Sequence, residues 1–75
     1  MAIERPLDAL SEARNKTVMV ELKNGKTIRG TLLAFDIHLN LVMDNAEELE
    51  GGELSRKLGK ILIRGDTVLM IAPSE

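Results

Sequence analysis

A chain of 75 residues leaves room for one small domain, and a domain of that size buries only about 60% of the surface its unfolded form exposes. Without cysteine, neither a disulfide framework nor a thiolate metal site can reinforce the core, so self-association is the expected support. A net charge of -2 excludes a broad electrostatic grip on phosphates, and one Phe with no Trp or Tyr excludes aromatic base-stacking platforms.

Residues 6–14 are predicted to form a short helix. Pro6 suits a first helical position, Leu7 and Leu10 share a face, Arg14 suits the C-terminal end and Asn15 the stop. A helix this short is unstable alone, so Leu7 and Leu10 are expected to lie on the sheet that follows. From Thr17 the period changes to two, with Val18, Val20 and Leu22 alternating against Met19, Glu21 and Lys23 as in a half-buried strand. Asn24-Gly25 predicts a hairpin of type I′, because both residues tolerate positive φ. Residues 26–35 read as the returning strand, and Gly30 within it marks a bulge or sharp bend, hence a strongly curved sheet.

A third strand is expected from near Leu39 through Leu41 and Met43 to Asp44-Asn45. The acidic stretch 47–53, broken by Gly51-Gly52, reads as a solvated turn. Residues 58–63 and 67–71 supply two more strands, divided by Arg64-Gly65-Asp66. The expected fold is mainly β: a short N-terminal helix, then a strongly bent five-stranded antiparallel sheet, a small open barrel filling 1–75 as one domain. An open sheet leaves two edges of unpaired backbone groups. Head-to-tail pairing of identical subunits covers both and closes a ring. No segment has the pattern of a secretory signal and no apolar run approaches a bilayer span, so the expectation is a cytoplasmic protein with no membrane partner.

Two polar loops beside strand ends are the places where chemistry can reside: Asp36-Ile37-His38-Leu39-Asn40 and Arg64-Gly65-Asp66. Singly, each residue has an ordinary explanation. A lone loop histidine is usually just solvated, Asn40 can be a turn former, Arg64 a surface charge, and Gly65-Asp66 a reverse turn. Together they can do more. An Asn amide offers a donor and an acceptor that match the O4 acceptor and N3–H donor of uracil, while the His38 imidazole and Arg64 guanidinium can each stack on a base. Asp36 and Asp66 can fix the pocket by accepting hydrogen bonds, which matters because an unrestrained Asn amide can flip and pair with cytosine.

Residues 17–48 and 59–72 resemble the two motifs of the Sm and Sm-like (LSm) family, especially its archaeal members. The matching pieces are Val20-Glu21-Leu22-Lys23-Asn24-Gly25, Gly30-Thr31-Leu32, Phe35-Asp36-Ile37-His38-Leu39-Asn40-Leu41 and Ile63-Arg64-Gly65-Asp66. The resemblance implies a bent, barrel-like sheet assembled into a homomeric ring, most often of seven subunits, through the fourth and fifth strands of neighbours. It further implies uridine-rich single-stranded RNA at the inner rim, with His38 and Arg64 stacking on the base, Asn40 reading its edge and Asp66 supporting the pocket. The implied role is a scaffold or chaperone in RNA metabolism that works with other RNA-processing proteins, without enzymatic activity or cofactor. Thr67 departs from the commoner Asn after Arg-Gly-Asp.

Other classes explain less. A ring-forming structural protein with little RNA affinity fits the negative charge. A peptide-binding barrel needs an aromatic groove, and Phe35 is the sole aromatic residue. Asp36 and His38 without a second His or any Cys do not make a tetrahedral zinc site within one chain.

Overall fold

The computed structural model describes residues 5–73, and within them the chain runs helix, then five strands. Helix α1 spans Pro6–Ala13, with Pro6 in the first turn as expected. The Arg5 N–H donates to Asp8 Oδ2 at 3.1 Å, satisfying one of the amides that a helix start leaves without a partner. Asn15 terminates the helix in the left-handed region, φ 65°, and its N–H donates to the Leu32 carbonyl at 2.6 Å. The helix is therefore tied to the sheet within two residues of its end. Leu10 and Ala13 are buried, and Leu7 packs against the same cluster, so the apolar stripe lies on the sheet as the sequence implied.

The strands are β1 (Thr17–Leu22), β2 (Thr27–Phe35), β3 (Leu41–Glu50), β4 (Glu53–Ile63) and β5 (Val68–Pro73), with a 3-10 turn at Gly65–Thr67 between the last two. They form one sheet in the order β4-β3-β2-β1-β5, and its pairings are antiparallel. Val18, Val20, Leu32, Leu41 and Met43 are fully buried inside the bend. Each contributes about 1.5–3 kcal/mol by leaving water. Gly30 sits where the β2–β3 register shifts between Arg29 and Thr31. A Cβ there would lie 2.9 Å from the Asp44 carbonyl oxygen and 3.0 Å from Ala46 Cα, so the bend requires a residue without a side chain.

Three sequence expectations need correction. The first hairpin is not type I′. Gly25 has φ 87° while Asn24 is not in the positive-φ region, and the Gly25 N–H donates to the Leu22 carbonyl at 3.0 Å. The connection is thus a three-residue loop, a turn followed by a left-handed glycine, and Asn24 Oδ1 accepts the Lys26 N–H at 2.9 Å.

The acidic stretch 47–53 is not a solvated turn either. Only Gly51-Gly52 turns, with φ 59° and 84°. Residues before and after extend β3 and β4 into a long hairpin in which Leu49 is buried. Glu48 is buried as well and lies near Arg56 Nη2 (3.5 Å) and Lys26 Nζ (3.8 Å). The composition of this stretch suggested solvent, but charges supplied by β4 and by the residue before β2 allow the carboxylate to be buried.

The third correction concerns ends. β3 begins at Leu41 rather than near Leu39, because Leu39 has φ 63° and belongs to the loop. β4 begins at Glu53, five residues before the expected start, and β5 occupies Val68–Pro73.

Candidate nucleic-acid interface

Leu41 at the start of β3 is paired with Phe35 at the end of β2 and with Ile63 at the end of β4. That register places the loop of residues 36–40 and the loop of residues 64–67 side by side at one end of the sheet. The first loop is tightly wound. Asp36 N–H donates to the Asn40 carbonyl at 3.2 Å, and Leu39 N–H to the Asp36 carbonyl at 3.0 Å. Leucine in the left-handed region costs about 1–3 kcal/mol. It is held there by its packing on the core and by the Asp36 carboxylate, whose Oδ1 accepts the N–H groups of His38 (2.9 Å) and Asn40 (3.1 Å).

The other Asp36 oxygen, Oδ2, accepts from Asn40 Nδ2 at 3.0 Å. Across the gap between the loops, Asn40 Oδ1 accepts the Gly65 N–H at 2.8 Å. A carboxylate only accepts and a backbone N–H only donates, so these two partners fix which end of the amide is nitrogen. One Nδ2 hydrogen and one Oδ1 lone pair are left for a ligand. The close approach also explains Gly65. An added Cβ would collide with the His38 carbonyl oxygen and lie 2.9 Å from the Leu39 carbonyl carbon.

Asp66 meets a different partner. Its Oδ2 is 3.0 Å from Arg64 Nη2, in an ion pair whose side chains are 78% and 62% exposed for Arg64 and Asp66 respectively. Coulomb attraction at such an exposed site stabilises little, but the contact restricts where the guanidinium swings. Thr67, the departure noted above, closes the turn: its Oγ1 and its N–H both donate to the Arg64 carbonyl, at 2.7 and 3.1 Å.

His38, Asn40, Arg64, Gly65 and Asp66 line one open cleft of about 410 Å³. Five of the six candidates from sequence therefore converge, and Asp36 holds the loop behind them. The Asp36 carboxyl titrates below its ordinary value, chiefly because of the hydrogen bond from Asn40 Nδ2; desolvation works the other way, and the backbone N–H groups of Asn40 and His38 and the charge of His38 reinforce the lowering. The lowering favours the ionised form, in which both oxygens are acceptors. Gly65 was a candidate from sequence, but the role of its N–H was not foreseen, and the Thr67 hydroxyl was missed. A backbone donor has no residue-type signal, and Thr67 was read only as a departure.

A bent five-stranded sheet with an N-terminal helix and paired polar loops at one end defines a class of small bent-sheet β domains, and comparison identifies the family. The model of the LSM domain matches residues 8–73. An Sm-like protein of Pyrococcus furiosus is 54% identical over 72 residues, covering 96% of this chain and 95% of its own length. Among solved structures, a Pyrococcus abyssi Sm protein in complex with a uridine heptamer superimposes with a TM-score of 0.91 at 49% identity, over 95% of this chain and all of that one. The heptameric SmAP1 of P. aerophilum gives 0.89 at 35% identity, covering 99% of each chain. The chain belongs to the Sm/Sm-like (LSm) family.

Among the described residues, no helix is long and apolar enough to cross a membrane.

Proposed function

We propose that this chain assembles into a homo-oligomeric ring of seven subunits and holds uridine-rich single-stranded RNA around its inner rim, as a scaffold or chaperone in RNA metabolism rather than an enzyme. The reading carries a cytoplasmic location with it. In this proposal the whole chain, residues 1–75, acts as one Sm-like domain. The observation that carries it is the single cleft in which an exposed imidazole, an exposed guanidinium and an Asn amide of fixed polarity meet. His38 and Arg64 supply the two stacking faces, Asn40 reads the base edge, Asp66 steadies Arg64, and Gly65 lets the loops touch. Assembly follows from the topology: β4 and β5 are the free edges, and in a lone chain they leave Leu62, Leu69 and Met70 exposed by 68%, 62% and 53%. Edge pairing between copies covers these side chains and satisfies the backbone. The uridine complex and the heptamer among the relatives support both halves of the reading.

The test is fluorescence anisotropy with oligouridines of increasing length. Stacking is worth about 1–3 kcal/mol per base, so one cleft binds one nucleotide weakly. Repetition around a ring raises affinity by roughly 10² to 10⁴ through effective concentration. Affinity should climb steeply with length until the clefts are filled, and Arg64→Ala should cost several times more on a long oligomer than on a dinucleotide. Long oligouridine bound equally well by intact rings of wild type, Arg64→Ala and Asn40→Ala would rule out this cleft and favour a scaffold with little RNA affinity.

A further inference from the structure

We propose that Asp36, which does not line the cleft, is the positioning residue that decides which pyrimidine the cleft accepts, by fixing the polarity of the Asn40 amide. This rests on the uridine-binding reading above. Uracil presents an O4 acceptor beside an N3–H donor, and cytosine presents the reverse, an N4 donor beside an N3 acceptor. An Asn amide can satisfy either pattern. It need only turn by half a revolution about its last bond. Discrimination therefore requires that the amide be prevented from turning, and the preventing groups must lie on the side away from the ligand.

Two groups stand there. Asp36 Oδ2 takes one Nδ2 hydrogen at 3.0 Å, and the Gly65 N–H is given to Oδ1 at 2.8 Å. Turning the amide would set Oδ1 against a carboxylate oxygen and Nδ2 against an N–H, mismatching both contacts at once. The two restraints are not equally open to change. Gly65 acts through its backbone N–H, which of all substitutions only proline removes, so Asp36 is the side chain that carries the choice. The carboxylate is itself oriented by the His38 and Asn40 N–H groups on its other oxygen, at 2.9 and 3.1 Å. Its free oxygen is thereby aimed at Asn40.

That arrangement makes Asp36→Asn a sharp probe. The two backbone donors will keep an oxygen at the inner position of the new amide, which puts its NH2 where Oδ2 was. That donor then faces Asn40 Nδ2, while Gly65 still demands Oδ1. Each orientation of Asn40 now has one match and one mismatch, and the preference for uracil is lost although shape and loop anchoring are kept. Asp36→Ser is the second variant. Its hydroxyl oxygen can still accept a backbone N–H as in ST-turns, but it offers Asn40 no comparable acceptor.

The experiment measures anisotropy of oligouridine and oligocytidine of equal length on wild type and both variants, with ring size checked by native mass spectrometry. Edge reading is worth roughly 5- to 150-fold between right and wrong bases. Wild type should prefer oligouridine by a factor in that range, and the preference should fall at least fivefold in both variants, with affinity for oligocytidine maintained or raised. An unchanged uridine-to-cytidine ratio in intact variant rings would overturn the assignment. So would an equal loss of both ligands, or loss of the ring in both variants, since either makes Asp36 an anchor of the loop and nothing more. Wild type binding both homopolymers alike would also overturn it while leaving RNA binding in place. Wild type binding neither would remove the proposed function itself.

Discussion

Replacing Gly65 by alanine adds one methyl group where the two loops touch, and the sign of its effect can be worked out in advance. Gly65 is not in the left-handed region. On conformational grounds alone alanine should therefore stabilise, by about 0.4–1 kcal/mol through the unfolded chain. Sterics run the other way. The new Cβ meets the His38 carbonyl group and the Leu39 carbonyl carbon, all backbone, so nothing can rotate aside and the loops must part. Overpacking of this kind costs about 1–3 kcal/mol. Parting the loops also stretches the 2.8 Å bond from Gly65 N–H to Asn40 Oδ1, worth about 0.5–1.5 kcal/mol. The net is a destabilisation near 2 kcal/mol, roughly 10 °C in melting temperature for a domain of this size, accompanied by weaker oligouridine binding. Thermal melts at fixed subunit concentration and anisotropy on the same samples read both. The control is Gly52→Ala, which meets nothing within 4 Å but has φ 84°; it should cost about 1–2 kcal/mol of strain and leave RNA affinity unchanged. A Gly65→Ala protein as stable as wild type, with normal RNA affinity, would refute the claim that loop contact builds the cleft.

Three other outcomes are expected. Glu48→Ala should destabilise by about 1–2 kcal/mol in denaturant melts, whereas Glu48→Leu should be close to neutral, because Lys26 and Arg56 are exposed enough to rehydrate when the buried carboxylate is replaced by an apolar group; a large loss in the leucine variant would contradict this. For Asp36, whose pKa is lowered on folding, the contribution to stability is fully present above the unfolded value of about 3.9 and is lost as pH falls through the folded value. The melting-temperature gap between wild type and Asp36→Asn should therefore be flat from neutral pH to about 5 and close only in stronger acid. Finally, Leu62→Asp or Met70→Asp, each placing a charge on an apolar edge, should shift sedimentation from a ring to smaller species, and an unshifted peak in both would argue against edge pairing through β4 and β5.

The legible parts of the fold were those written in local periodicity. Val18 and Val20 alternate as half-buried strand residues do, Pro6 and Asn15 bracket the helix, and Gly30 marks the bend; all three signals act within a few residues. One misreading depends on partners far along the chain. Glu48 can be buried because Lys26 and Arg56 arrive from β2 side and β4, and nothing in the acidic run 47–53 announces them. Asn24-Gly25 located a turn but not its type, because Asn24 tolerates positive φ without requiring it. Leu39 is the least legible residue, since a bulky side chain gives no hint of φ 63°. The candidate site was legible as a set of residues and not as a wiring: the bond from Gly65 N–H to Asn40 Oδ1 joins positions 25 apart and forms only when β3 sets both loops side by side.

β4 and β5 lie at opposite ends of the sheet order yet follow one another in the chain, with only residues 64–67 between them. Backbone reach limits how far those ends can separate. Five peptide steps from Ile63 to Val68 span at most about 18 Å, at roughly 3.6 Å each. The seam between the two edges is therefore bounded by the chain itself at the cleft end, whereas its far ends, at Glu53 and Pro73, are joined by no short connection. The cleft thus occupies the end of the seam where covalent connection, and not packing alone, limits how far the two edges can part.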